Sequence, residues 1–220
     1  KKPVYWCASC VTALAEAEVE YEEHVSPSIY VKFLVKDHKG KFTADDAVTY
    51  FFICTTTPWT LPANQAIAIN PKFTYRRVRT SRGALIIEEE LVPTVMKAIG
   101  LEPSEYKITE GVWTGAELEG IVCRHPWLDR DSKIVLGEFV TRDQGTGCVH
   151  IAPGHGQEDY EVGMRYGLSV MAPVDAEGRF TAEAGDLRGE SVFKVDPKII
   201  QKLRDHGALL KEEALPHSYP

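Results

Sequence analysis

Two stretches of the 220-residue chain concentrate the side chains that can do chemistry. The first is Cys54-Thr55-Thr56-Thr57-Pro58-Trp59-Thr60-Leu61-Pro62-Ala63-Asn64. Pro58 and Pro62 lack an amide proton, so neither flanking strand continues through it. What is left is a loop offering hydroxyls, free backbone N–H groups and one large aromatic, which suits a small polar ligand. The same composition also builds an ordinary Ser/Thr turn at a barrel corner. The second stretch is Gly145-Thr146-Gly147-Cys148-Val149-His150-Ile151-Ala152-Pro153-Gly154-His155-Gly156-Gln157-Glu158-Asp159-Tyr160. Gly154 and Gly156 let backbone bend close to a ligand with N–H groups facing it. His150, His155 and Asp159 lie within ten residues. Metal binding does not suit them, because the histidines are five apart across a Pro-Gly loop rather than at His-Glu-x-x-His helical spacing. A Cys148–His150 pair on one strand face imitates a nucleophilic dyad, yet a thiol in a Val-rich strand is more often inert packing. Each residue also has a bland role: Asp159 answering a helix dipole, His155 satisfying its loop, His150 closing a strand in the core.

The elements that must position these residues are mostly strands. Thr49–Ile53 and Gln65–Ile69 flank the threonine loop. Ser28–Val35 alternates as a half-buried strand before the Asp37–Gly40 turn, and alternation also places a strand over Thr12–Glu20. Phe73–Val78 and Ala84–Glu88 form a hairpin. Further strands are expected at Tyr106–Val112, Gly120–Arg124, Lys133–Phe139 and Leu168–Val174. Helices are expected over Glu89–Ile99, where Gly100 stops the chain, over Glu158–Tyr166, and over Pro197–His206 with Ile199, Ile200 and Leu203 as its stripe. The reading is one β-rich α+β domain, a closed or nearly closed barrel with inserted helices.

Composition bounds what such a domain can do. Hydrophobic content of 44% and charged content of 26% are ordinary for a globular chain. Lys1-Lys2-Pro3 is followed by no h-region of a signal peptide, and no apolar run reaches the roughly 18–20 residues that span a bilayer. Five cysteines, an odd number, argue for a reducing compartment. Cys7 and Cys10 form a Cys-x-x-Cys pair, half of a four-ligand zinc site. A formal charge of −7 argues against a domain that grips a nucleic-acid duplex by itself.

Taken together, the two stretches resemble the editing domain of isoleucyl-tRNA synthetase, an insertion in the Rossmann core of that class I enzyme. Thr55 to Asn64 is similar to the family's threonine-rich peptide, and Gly145 to Tyr160 to its second signature. Pro3 to Tyr21 resembles the segment that leads into the insertion. Thr57 stands where the valyl and leucyl relatives typically carry Arg. The His-Ile-Gly-His-like and Lys-Met-Ser-Lys-Ser-like signatures of amino-acid activation do not occur in the chain. The resemblance implies one editing domain over 1–220, with 1–25 and 208–220 joining it to a catalytic core outside this chain. It implies hydrolysis of misactivated valine, as Val-tRNA(Ile) or valyl-adenylate, by direct attack of water.

The site residues follow from the same resemblance. Asp159 would bind the α-ammonium, and His150 would make the pocket too short for isoleucine. Thr55, Thr56 and Thr57 would contact substrate, Thr56 and Thr57 would position water with the substrate's own ribose hydroxyl, and Trp59 and Asn64 belong to the same loop. No cofactor is expected in this fragment; ATP and zinc belong to the full-length enzyme, where a second cysteine pair would complete the site of Cys7 and Cys10. The implied partners are the 3′ end of tRNA(Ile) charged with valine, valyl-adenylate and the rest of the synthetase chain, in a cytoplasmic monomer with no membrane contact. Two other readings stay open: a valyl-type domain clearing threonine, and a non-catalytic module that binds aminoacyl-adenylates or RNA ends.

Overall fold

The computed structural model describes residues 2–20, 22–42, 47–143 and 145–219. A small hairpin comes first, β1 (Trp6–Cys7) against β2 (Thr12–Ala13). The strand expected over Thr12–Glu20 stops there. Glu16–Glu18 form a 3-10 turn in which the Glu18 carboxylate accepts the Ala15 N–H at 2.7 Å. That local bond satisfies backbone without a ladder, so the alternating glutamates mark a solvated turn.

The main sheet is built from β3 (Glu22–Asp37), β4 (Thr49–Thr55), β5 (Ala66–Ile69), β6 (Thr74–Thr80), β7 (Gly83–Glu88), β8 (Tyr106–Thr114), β9 (Val122–Arg124), β10 (Asp131–Leu136), β11 (Cys148–Ile151) and β12 (Leu209–Tyr219). Between them lie α1 (Val92–Ala98), α2 (Gly115–Leu118), α3 (Gln157–Tyr166) and α4 (Asp196–Asp205). Their order in the sheet is β11-β5-β10-β9-β3-β4-β7-β6-β8, with β12 paired to β3 beside that path. The architecture is α+β and barrel-like, but the ladder does not close, because β11 and β8 end the path without pairing to each other. The curl comes from β3. Its residues Ile29–Leu34 pair with β4, and Val35 and Asp37 pair with β9, with a register shift between those two. One long strand thus serves both halves. The curl is stitched at Thr146, whose hydroxyl donates to the Phe52 carbonyl of β4 at 2.7 Å just before β11 begins.

Burial explains why β4 and β5 read as continuous apolar runs. Phe51 and Ile53 face the main core with Phe33, Ile67 and Ile69, while Phe52 faces a second core against Val92, Val95 and Met96 of α1. Ala66 and Ala68 of β5 face α3 through Val162. Their small side chains let α3 sit close to the sheet. The stripe Ile199, Ile200 and Leu203 of α4 packs into the main core as its periodicity requires. The strand expected over Leu168–Val174 does not form; Val174 makes one isolated bridge to Phe180. Pro173 has no N–H for a ladder, and the Met171 carbonyl packs instead where Gly154 leaves room for it. Among the described residues no helix is long and apolar enough to cross a membrane.

Candidate functional site

The threonine loop leaves the end of β4 and winds at once into a 3-10 helix over Pro58–Ala63, with Pro58 at its first position. Thr57 stands at the N-cap, yet its side chain makes no capping bond. Its hydroxyl instead lies 3.2 Å from Thr55 Oγ1, which also accepts the Thr57 N–H at 3.1 Å. The two hydroxyls are therefore held together and turned away from the helix. Across from them, β11 presents His150, and the chain then turns through Pro153-Gly154-His155-Gly156 into α3. Asp159 sits in the first turn of α3, its Oδ1 accepting the Ala152 N–H at 3.3 Å. A Cβ on Gly156 would overlap the Asp159 carboxylate as it stands, so a larger residue there would push that carboxylate aside.

These elements enclose a cleft of about 310 Å³ lined by Thr55, Thr57, Thr60, His150, His155 and Asp159, with Cys54, Phe139 and Glu158 at its walls. A neighbouring cleft of about 540 Å³ shares Cys54, Thr55, Phe139 and Val149 with it and adds Thr56 and Thr146. The structure thus brings Thr55, Thr57, His150 and Asp159 together, and places Thr56 one step along. Trp59 packs against the main core and meets the His155 ring edge-on, with centroids 5.1 Å apart. Asn64 is fully buried and faces His150 rather than the cleft. Thr60, His155 and Phe139 were not singled out from sequence as site residues. Thr60 and His155 stood inside the two stretches, whereas Phe139 follows β10 with no local sign of its neighbours.

A chain of hydrogen bonds fixes His150. The Asn64 amide N–H₂ donates to the Ala66 carbonyl at 2.9 Å and to His150 Nδ1 at 3.0 Å. Ser132 Oγ donates to Asn64 Oδ1. With Ala66 O accepting only, the amide cannot flip, so His150 Nδ1 is the acceptor and Nε2 carries the proton. Nε2–H then donates to Thr60 Oγ1 at 2.8 Å, and Thr60 donates to the Thr57 carbonyl at 2.9 Å. Both imidazole nitrogens are occupied. Burial pushes the His150 pKa down to about 3, with the nearby His155 adding to the effect, so the ring is neutral.

Burial also sets the other groups. His155 is pulled down to about 4. Asp159 is pushed up to about 6, its hydrogen bond from the Ala152 N–H only partly offsetting desolvation. The Cys148 thiol is driven to about 12 by burial, and the Cys54 thiol is also raised. Neither is a nucleophile, which removes the Cys148–His150 dyad. Among the described residues no group of three or more His, Cys, Asp or Glu could hold a metal. Cys7 and Cys10 share a turn in which the Cys10 N–H reaches Cys7 Sγ at 3.3 Å and helps lower the Cys7 pKa. That knuckle fits two of the four ligands of a structural zinc.

The family model described as "Leucyl-tRNA synthetase, editing domain" matches residues 88–194. Across the whole chain, isoleucine--tRNA ligase of Moorella thermoacetica is 52% identical over 219 residues, covering 100% of this chain and 23% of that protein. The same ligase of Kosmotoga olearia is 51% identical over 219 residues, with the same two coverages of 100% and 23%. The chain belongs to the editing domains of isoleucyl-tRNA synthetases. The editing domain spans about a quarter of the length of the curated relatives it matches. A solved structure described as "The crystal structure of GlLeuRS-CP1" shares its fold, with a TM-score of 0.63 at 15% identity, covering 88% of this chain and 100% of that one.

Proposed function

We propose that this editing domain hydrolyses valine carried as an ester on the 3′ end of tRNA(Ile), or as valyl-adenylate. The observation that carries the reading is one cleft in which a half-buried carboxylate, a pinned imidazole and paired threonine hydroxyls face one another. Water adds to the acyl carbon, the bond to the ribose or phosphate oxygen breaks, and that oxygen takes the proton; valine and the free 3′ end, or AMP, leave. Asp159 holds the α-ammonium. His150 is the wall: with both nitrogens bonded it cannot turn aside for a longer side chain. One methylene is worth only about 1–3 kcal/mol in an adaptable pocket, so rejecting isoleucine needs a wall that does not yield. Thr55 and Thr57 orient the water, and the neighbouring cleft at Thr56 takes the leaving group.

Orientation matters more than proton abstraction here. His150 has no free nitrogen, and His155, pulled down to about 4, is a weak base. Activated acyl groups need no covalent intermediate, so a held water in line with the acyl carbon suffices. The test is calorimetry with non-hydrolysable valyl, isoleucyl and threonyl adenylate analogues on the wild-type chain and on Asp159→Ala. Valyl analogue bound, isoleucyl refused and binding lost in the variant is the expected pattern. Equal binding of valyl and isoleucyl analogues would sink it, and preference for the threonyl analogue would make the site valyl-type.

A further inference from the structure

The threonine loop and the glycine loop form opposite sides of the cleft, and the turn between β9 and β10 reaches the backing of both. A helix end leaves carbonyls without intrahelical partners. At the end of the Pro58–Ala63 helix that turn meets the Pro62 carbonyl, and it adds a second donor to the Leu61 carbonyl, which already accepts the Asn64 N–H at 2.9 Å. His125 Nε2–H donates to the Leu61 carbonyl at 2.9 Å, and Arg130 Nη2 donates to the Pro62 carbonyl at 2.5 Å. His125 is fixed in that tautomer because its Nδ1 accepts the N–H groups of Trp127 and Leu128. Arg130 reaches a second partner: Nη1 donates to Met171 Sδ at 3.4 Å. The carbonyl of Met171 lies against Gly154, in space that a Cβ there would fill. One guanidinium therefore touches both sides. It holds Pro62, two residues before Asn64 and its bond to His150, and it holds Met171, which backs the loop leading to His155 and Asp159.

We propose that Arg130 is a positioning residue that brackets the two loops and sets the width of the cleft. It touches no substrate. A planar fork with several donors is what the task needs, since one end must meet a carbonyl while another meets a thioether in a fixed relation. Lysine, a point charge on a flexible stem, keeps the charge and loses one arm. The activity side of this inference rests on the hydrolytic reading above; the geometric side does not.

The experiment compares Arg130→Lys, Arg130→Met and Met171→Leu with Arg124→Met, a control at the end of β9 beside that turn whose side chain is exposed. Three readouts are taken on each: the thermal melt, amide hydrogen exchange of residues 57–64 and 154–159, and calorimetric affinity for the valyl and isoleucyl adenylate analogues. Folded Arg130 variants should exchange faster in both loops, bind the valyl analogue at least about tenfold more weakly, and discriminate less against isoleucyl. Met171→Leu should loosen only 154–159, and Arg124→Met should match the wild type. The bracket is overturned if Arg130→Lys folds with both loops protected and valyl affinity within about twofold of wild type. It is equally overturned if the melt alone falls while the valyl-to-isoleucyl ratio is kept, which is the mark of a merely structural role. Should Arg130→Met fail to fold, Arg130→Lys and Met171→Leu decide. Should the wild type bind no valyl analogue, the hydrolytic reading fails, and the exchange data alone decide the bracket.

Discussion

Asp159 is a carboxylate held where its charge is costly, and that cost makes it testable. Its folded pKa of about 6 stands above the ordinary 3.8 because burial outweighs the bond from Ala152. Between those two values the folded chain binds more proton than the unfolded one. Stability from this group therefore rises as pH falls from 6 towards 4 and is lost as pH rises through 6. Asp159→Asn keeps the acceptor for Ala152 and removes the charge, so the variant should melt higher than wild type at pH 8, with the gap closing by pH 4.5. It should also lose the valyl analogue in calorimetry. In the wild type, affinity for that analogue should drop about tenfold per pH unit below 6, because an ammonium needs the ionised carboxylate. His150 behaves oppositely. Nitrogen-15 NMR of labelled histidine should find it as the neutral Nε2–H tautomer from pH 8 down to 5; titration inside that range would break the hydrogen-bond chain from Asn64 to Thr57. If His150 is the proposed wall, truncation by His150→Ala should give tighter binding of the isoleucyl analogue with the valyl one held.

The joint between β4 and β11 closes the curl at the level of elements, and one hydroxyl carries it. Thr146→Val keeps the volume but strands the Phe52 carbonyl, so urea unfolding should show a loss of about 1–3 kcal/mol; no change would mean that packing alone closes the curl. The same level decides what could be read from sequence. The hairpin β6–β7, the helices α1, α3 and α4, and the strands around the threonine loop were legible because alternation, a 3.6-residue stripe or a Gly or Pro stop marks each locally. β12 was not: Leu209-Leu210-Lys211-Glu212-Glu213-Ala214 has no alternation, and it is a strand only because β3 pairs with it. Its edge position also tolerates Pro216. The site follows the same rule. Asp159 and His150 stood in a recognisable stretch. That Asn64 faces inward to His150, and that Phe139 and Arg130 attend the cleft, depends on contacts between distant segments with no local period to betray them.

For the whole molecule the proposed function raises the question of how a chain of charge −7 would meet a polyanion. Glu158 and Asp159 line the main cleft and Glu213 the neighbouring one, so both approaches carry negative charge. A third cleft of about 470 Å³ gathers Lys32, Lys36, Arg124 and Arg130, but most of these are engaged. Lys36 pairs with Asp131 at 2.9 Å, Lys32 lies over the Tyr50 ring, and Arg130 holds Pro62 and Met171. Affinity for nucleic acid grows with the number of phosphates neutralised, and each phosphate on a single strand adds about 0.7 to the slope of log affinity against log salt. With that basic cleft largely engaged and a net charge of −7, this chain should bind uncharged tRNA more weakly than micromolar at physiological salt, with a slope of about 1 or less in magnitude. Filter binding across a salt series measures both. Submicromolar affinity with a steep slope would mean that a basic track exists and that the domain captures tRNA by itself. A shallow slope with weak affinity, alongside measurable binding of the small valyl analogue, would place recognition in the aminoacyl group and leave the grip on the duplex to the rest of a longer chain.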